Sequence, residues 1–147
     1  MSEALIRAQI KIILEGIPGI GVVHSYERLS LSPATYFDLM TSGGIVNGWT
    51  IHRENTDSER SAMGYIDRAH DFRIRAIYEL NDAGASEITF QALLDEIFLT
   101  FKTKNTVNDT ALRSDLVQIG PVNTDEFSER AYHTAELTLI VIERIPE

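Results

Sequence analysis

Cysteine is absent from the 147 residues, which excludes disulfides, thiolate nucleophiles and zinc sites built on sulfur. That absence fits a cytoplasmic origin. Positive charge is also scarce: 13 Lys and Arg stand against 22 Asp and Glu, a formal net charge of -9. The deficit deepens along the chain, from 7 basic and 9 acidic side chains in residues 1–74 to 6 and 13 in residues 75–147. Such a balance opposes general binding to nucleic acid, which needs clustered Lys and Arg to displace counterions from phosphates. An acidic wall would, however, let DNA slide past without sticking. Long hydrophobic runs are missing too, because Glu3, Arg7 and Lys11 interrupt the apolar series at the N-terminus. A signal-peptide core or membrane span would not tolerate them, so neither export nor membrane insertion is expected. The sequon Asn108-Asp109-Thr110 then reads as a chance tripeptide in a polar loop.

Motifs of catalysis are lacking as well. There is no phosphate loop with its lysine, no serine elbow and no HExxH sequence. The cluster Gly16-x-x-Gly19-x-Gly21 follows a helix and precedes a strand. A dinucleotide fingerprint needs the opposite order, because its phosphate sits at the N-terminus of the following helix. The cluster reads as a turn.

What is present is mostly sheet. In the stretch from Ala69 to Leu80, the residues Phe72, Ile74, Ala76, Tyr78 and Leu80 fall on one side of an extended chain. Asp71, Arg73, Arg75 and Glu79 fall on the other, with Ile77 as the exception. The stretch from Tyr132 to Arg144 becomes apolar on both sides towards its end, the mark of a strand end buried twice. Shorter strands are expected at Ile20–Arg28, Ile45–Arg53, which carries Trp49, and Asp115–Val122, where Pro121 favours an edge or end. Two helices frame them. Ser2 can cap the first, in which Leu5, Ile6, Ile10, Ile13, Leu14 and Ile17 recur at helical spacing. The second begins near a capping Ser86 and buries Phe90, Leu93, Leu94, Ile97, Phe98 and Phe101. No structure is assigned to Leu29–Gly44.

The order α-β-β-β-α-β-β, with no regular βαβ alternation, predicts an α+β fold: an antiparallel sheet with two main helices packed on one face. A chain of this length buries roughly 68 to 70% of its unfolded surface, enough for one core, so residues 1–147 are expected to form one domain. Glu54–Arg68 is too long for an ordinary hairpin connection. It is expected to be either a flexible arm or a projecting β-ribbon that carries Met63, Tyr65 and Ile66 outward as contact residues.

The same register logic governs the histidines. His52, His70 and His133 would form a metal site only if all three faced one side of adjacent strands, and no paired ligand spacing accompanies them. They read as strand-end residues. His70 with Asp71 or Glu136 is a poor proton-transfer pair, since strand neighbours point to opposite faces. Arg73 and Arg75 could bind an anion or a neighbouring subunit's carboxylate. Cross-strand pairing with Glu136 and Glu143 is the plainer account. Trp49 and Tyr78 read as core or interface anchors rather than a base-stacking platform.

Taken together, LEGIPGIGVVHSYERL, GWTIHR, RAHDFRIRAIYEL, SEITFQALLDEIFLTF and YHTAELTLIVIER resemble the tail terminator and tail-completion (neck) proteins of long-tailed bacteriophages and prophages. The resemblance covers nearly the full chain and rests on element order and diffuse similarity. It implies a structural virion protein, not an enzyme, assembled in the bacterial cytoplasm and resident in the tail or neck. It further implies an α+β domain that forms a hexameric ring, caps the tail tube, stops its polymerisation and joins tail to head. Its partners would be further copies of itself, the tail tube protein and a head-tail connector protein, with DNA passing through the channel unbound. No catalytic, cofactor or metal residues carry over. Arg60, Met63, Tyr65, Ile66, Arg73 and Arg75 are the expected subunit or tube contacts. Another phage neck or minor tail protein is the near alternative, and a small α+β enzyme or ligand-binding domain using His52, His70 or His133 the distant one.

Overall fold

Ser2 starts the first helix, α1 (Glu3–Glu15), by accepting a hydrogen bond from the Leu5 amide at 3.2 Å. Ile6, Ile10, Ile13 and Leu14 form its buried stripe, while Leu5 stays exposed. The computed structural model describes residues 2–28, 32–61, 63–127 and 129–147. After the glycine turn come β1 (Val22–His24), α2 (Pro33–Leu39), β2 (Thr41–Ser42), β3 (Ile45–Ser61) and β4 (Tyr65–Glu79). Then follow α3 (Ser86–Thr103), β5 (Arg113–Ser114), β6 (Gln118–Ile119), β7 (Asn123–Phe127) and β8 (Arg130–Pro146).

The expected α+β class holds, with two corrections. The sheet is mixed rather than antiparallel throughout, because β1 pairs with β3 in parallel. Between these strands the chain runs through α2 and β2, a connection long enough to return it to the same end of the sheet. The second correction concerns residues 29–44, of which 29–31 lie outside the described residues. Here Ser32 caps α2 by accepting from the Thr35 amide, Pro33 takes the first helical position, and α2 packs on the face opposite α1 and α3. The strand expected at Asp115–Val122 shrinks to the two residues of β6.

The sheet order is β1-β3-β4-β8-β5, with β2 beside β3 and both β6 and β7 beside β8. Its inner face carries Trp49, Ile51, Phe72, Ile74, Ala135, Leu137, Leu139 and Val141, packed against α1 and against Phe90, Leu94, Ile97 and Phe101 of α3. Each large side chain fully buried there contributes about 1.5–3 kcal/mol relative to exposure. Apart from Ile140 and Ile142 of β8, the outer face is polar except where α2 covers it. There Ile77, the exception in the alternation of β4, joins Met40, Val46 and Tyr132, and Phe37 stacks on Tyr132 with ring centroids 4.7 Å apart.

Gly21 shows how closely β1 lies on β3. A methyl group at that position would stand 2.1 Å from the Asn47 carbonyl oxygen and 2.7 Å from Asn47 Cγ. Asn47 cannot retreat freely, since its side chain donates to Gly19 O at 2.9 Å and accepts from Trp49 Nε1 at 2.8 Å. Gly21→Ala is therefore expected to cost about 1–3 kcal/mol, read as a lower urea midpoint. An unchanged midpoint would show that β1 shifts at no cost.

Candidate assembly surface

Beyond the part of the sheet covered by α1 and α3, the strands continue. β3 pairs with β4 as far as Ser61↔Tyr65, and β4 pairs with β8 as far as Tyr65↔Pro146. The segment 54–68 is thus a β-structured arm, three strands wide because β8 accompanies the hairpin to its tip; Ala62 lies outside the described residues. At the turn Met63 and Gly64 both adopt left-handed backbone, with φ of 73° and 79°, a conformation that a side chain such as methionine adopts at a cost. Met63 is 90% exposed and Tyr65 41%, while Ile66 is half-buried. The C-terminal residue clasps the tip: the Glu147 amide donates to Gly64 O at 2.8 Å and its carboxylate meets Arg60 Nε at 2.7 Å. Arg144 lies over the Tyr65 ring and makes a two-pronged bond to Asp67, whose carboxyl it holds below the ordinary carboxylate range.

At the root of the arm sits a buried polar group that alternation alone could not reveal. Thr56 faces His70 on the inner side and Glu143 lies diagonally from it, across from Arg68, with His70 0% and Glu143 1% exposed. Thr56 Oγ1 lies 2.9 Å from His70 Nδ1, and Glu143 Oε2 lies 3.4 Å from His70 Nε2. A neutral ring protonated on Nε2 satisfies both. Arg68 Nη1, 3.7 Å from Glu143 Oε1, supplies the counter-charge. The sequence pairs considered for His70 were Asp71 and Glu136; the structure gives it Glu143, 73 residues away.

Burial pushes protonation of His70 below its ordinary value of 6.5, opposed by Glu143 and assisted by Arg68 and Arg53. The unfolded chain therefore takes up a proton that the folded chain refuses. Stability from this group is fully present above about pH 6.5 and declines as pH falls below it. Urea midpoints measured from pH 8 to pH 5 should fall on the acid side, and His70→Asn should flatten that limb. Parallel profiles for the two proteins would remove His70 as the cause.

On the outer face of the body, the two candidate arginines are engaged within their own chain. Arg73 reaches Asp71, Glu54 and Glu136 at 2.9, 2.9 and 3.0 Å, and Arg75 reaches Glu136 at 2.8 Å and Glu27 at 2.7 Å. Arg75 first, then Arg73, holds the Glu136 carboxyl below the ordinary carboxylate range. The expected cross-strand pairing with Glu136 is present, whereas Glu143 belongs to the opposite face. Beside this ladder a groove of about 940 Å³ opens between α2 and the segment before β7, bordered by Tyr36, Phe37, Met40, Ile77 and Pro121. Burial raises the Tyr36 hydroxyl above its ordinary value.

The histidines do not converge. His52 points to the outer face toward Glu27 at 3.5 Å, and His24 Nε2 lies 2.7 Å from Leu39 O. His133 Nε2 stands 2.8 Å from Ser86 Oγ on the inner face, far along the sheet from His70. Ser86 is not the helix cap: Ala85 takes that position in left-handed conformation, and the Ser86 hydroxyl instead accepts from the Asn81 amide and bonds His133. It ties the loop after β4 to β8. Among the described residues, no cluster of His, Asp and Glu could hold a metal ion, and no helix is long and apolar enough to cross a membrane. No protein-family model matches this chain, and no curated protein matches it.

Proposed function

We propose that the chain is a structural virion protein, a tail terminator whose copies close into a ring on the end of a phage tail tube. The ring would stop tube growth and present a surface for the head. The observation that carries this reading is the arm. A three-stranded extension that leaves the body, ends in an exposed Met63 and Tyr65, and is fastened at its tip by Glu147 is suited to reach a neighbour rather than to shape a pocket. The net negative charge suits the lining of a DNA channel, since it repels the phosphates it must let pass.

The reading is tested by adding purified protein to tail tube protein during its polymerisation. Tubes should stop growing at short lengths and carry a ring at one end in micrographs. Tubes that lengthen as they do without it would overturn the proposal. The distant alternative, a ligand-binding domain, would use the groove beside α2, which none of His52, His70 and His133 lines, or a smaller hollow of about 420 Å³ that His133 borders beside Ser86.

A further inference from the structure

The arm has two faces of opposite charge, and a single bulge creates them. Up to Arg53, which faces Phe72, the odd-numbered residues of β3 point inward; the register then shifts between Arg53 and Asn55, so that Thr56 faces His70, Ser58 faces Arg68 and Arg60 faces Ile66. One extra residue exchanges the two sides of a strand from that point on. It brings Arg53 and Arg60 to the same face, where Arg68 joins them. The opposite face carries Asp57, Glu59 and Asp67 by the same register. Ion pairs within the chain already engage Arg60 with Glu147, Arg68 with Glu143 and Asp67 with Arg144, so among the described residues Arg53 on one face and Asp57 and Glu59 on the other are left without one. Asp57, Glu59 and Arg60 are all exposed. Glu59 lies directly across from Asp67, an arrangement of like charges that costs stability and that Arg144, bonded to Asp67, offsets only in part.

We infer that a second copy of this chain covers the arm face to face, the Arg53, Arg60 and Arg68 side of one arm lying on the Asp57, Glu59 and Asp67 side of the next. The inference rests on the ring reading and names the surfaces that would form its seam. A contact between two different faces of the same element repeats head to tail, and it closes into a ring when the rotation between copies divides a full turn. The second arm would bring an arginine face to Glu59 and Asp57, whereas Asp67 already has Arg144. Because Asp57, Glu59 and Arg60 are exposed, the contact should weaken as salt shortens the screening length from about 10 Å at 0.1 M towards 3 Å at 1 M.

Charge reversal on each face tests this by solution mass at one fixed concentration, with circular dichroism as the control for folding. Arg53→Glu with Arg60→Glu leaves two acidic faces, and Asp57→Arg with Glu59→Arg leaves two basic ones. Each doubly substituted chain should fold but lose the assembled mass and run as a single subunit. An equimolar mixture of the two, or one chain with all four substitutions, should recover it. If the unmodified chain assembles and the reversals leave its mass unchanged, the face pairing is overturned while the ring stands. Reversed chains that fall apart and are not rescued by mixing overturn it as well. An unmodified chain that stays a single subunit, both alone and with tail tube protein, overturns the ring and the pairing together.

Discussion

Trp49→Ala is expected to lower the unfolding free energy by about 3–5 kcal/mol, a large share of the roughly 5–15 kcal/mol typical of a whole domain. The indole is 0% exposed and lies in the first third of β3, beside Phe90 of α3 with ring centroids 6.0 Å apart. Its Nε1 donates to Asn47 Oδ1, and Asn47 in turn binds Gly19 O. Truncation thus opens a cavity under α3 and also frees the side chain that ties the glycine turn to the sheet. Chemical denaturation measures the loss directly. A change below about 1 kcal/mol would mean that α3 collapses onto the sheet, at odds with the close packing described here.

Removing the tip of the arm should have the opposite profile: little loss of stability and complete loss of assembly. Deleting residues 57–65 joins Thr56 to Ile66 and leaves the inner-face core untouched, since none of the deleted residues belongs to it. What goes is Met63, Tyr65, the Arg60–Glu147 pair and two acidic side chains of the outer face, Asp57 and Glu59. Exposed ion pairs contribute at most about 1 kcal/mol, so the melting temperature should stay within about 4 °C of the unmodified chain. Solution mass and tube capping should both fall to the level of a single, inactive subunit. A shortened chain that still assembles and caps would remove the arm from the contact.

The sheet was legible in the sequence wherever one face is apolar and the other charged. The alternation of Phe72, Ile74 and Ala76 against Arg73 and Arg75 marks β4 because burial on one side leaves a period of two. The helical stripes of α1 and α3 were legible for the same reason. α2 was not, because it is short and its Tyr36 and Phe37 cover only a small patch around Ile77, so no repeat could accumulate. β2 and β5 escaped because strands of two residues have no period at all. The parallel pairing of β1 depends on where its connection runs, which local pattern does not encode.

The surface residues divide along a similar line. Arg73, Arg75 and Glu136 could be expected to meet because cross-strand neighbours share a face, and they do. His70 and Glu143 required knowing the register of β4 on β8, and the joint face of Arg53 and Arg60 required knowing the bulge. Both depend on pairing between distant segments. A signal for the bulge existed in principle: Arg53-Glu54-Asn55 offers no apolar residue to hold the strand in phase.

Electron micrographs of phage particles assembled without this protein test the central claim most directly. Tails that run on past their normal length and carry no heads are the predicted result. Tails of normal length joined to filled heads would contradict it.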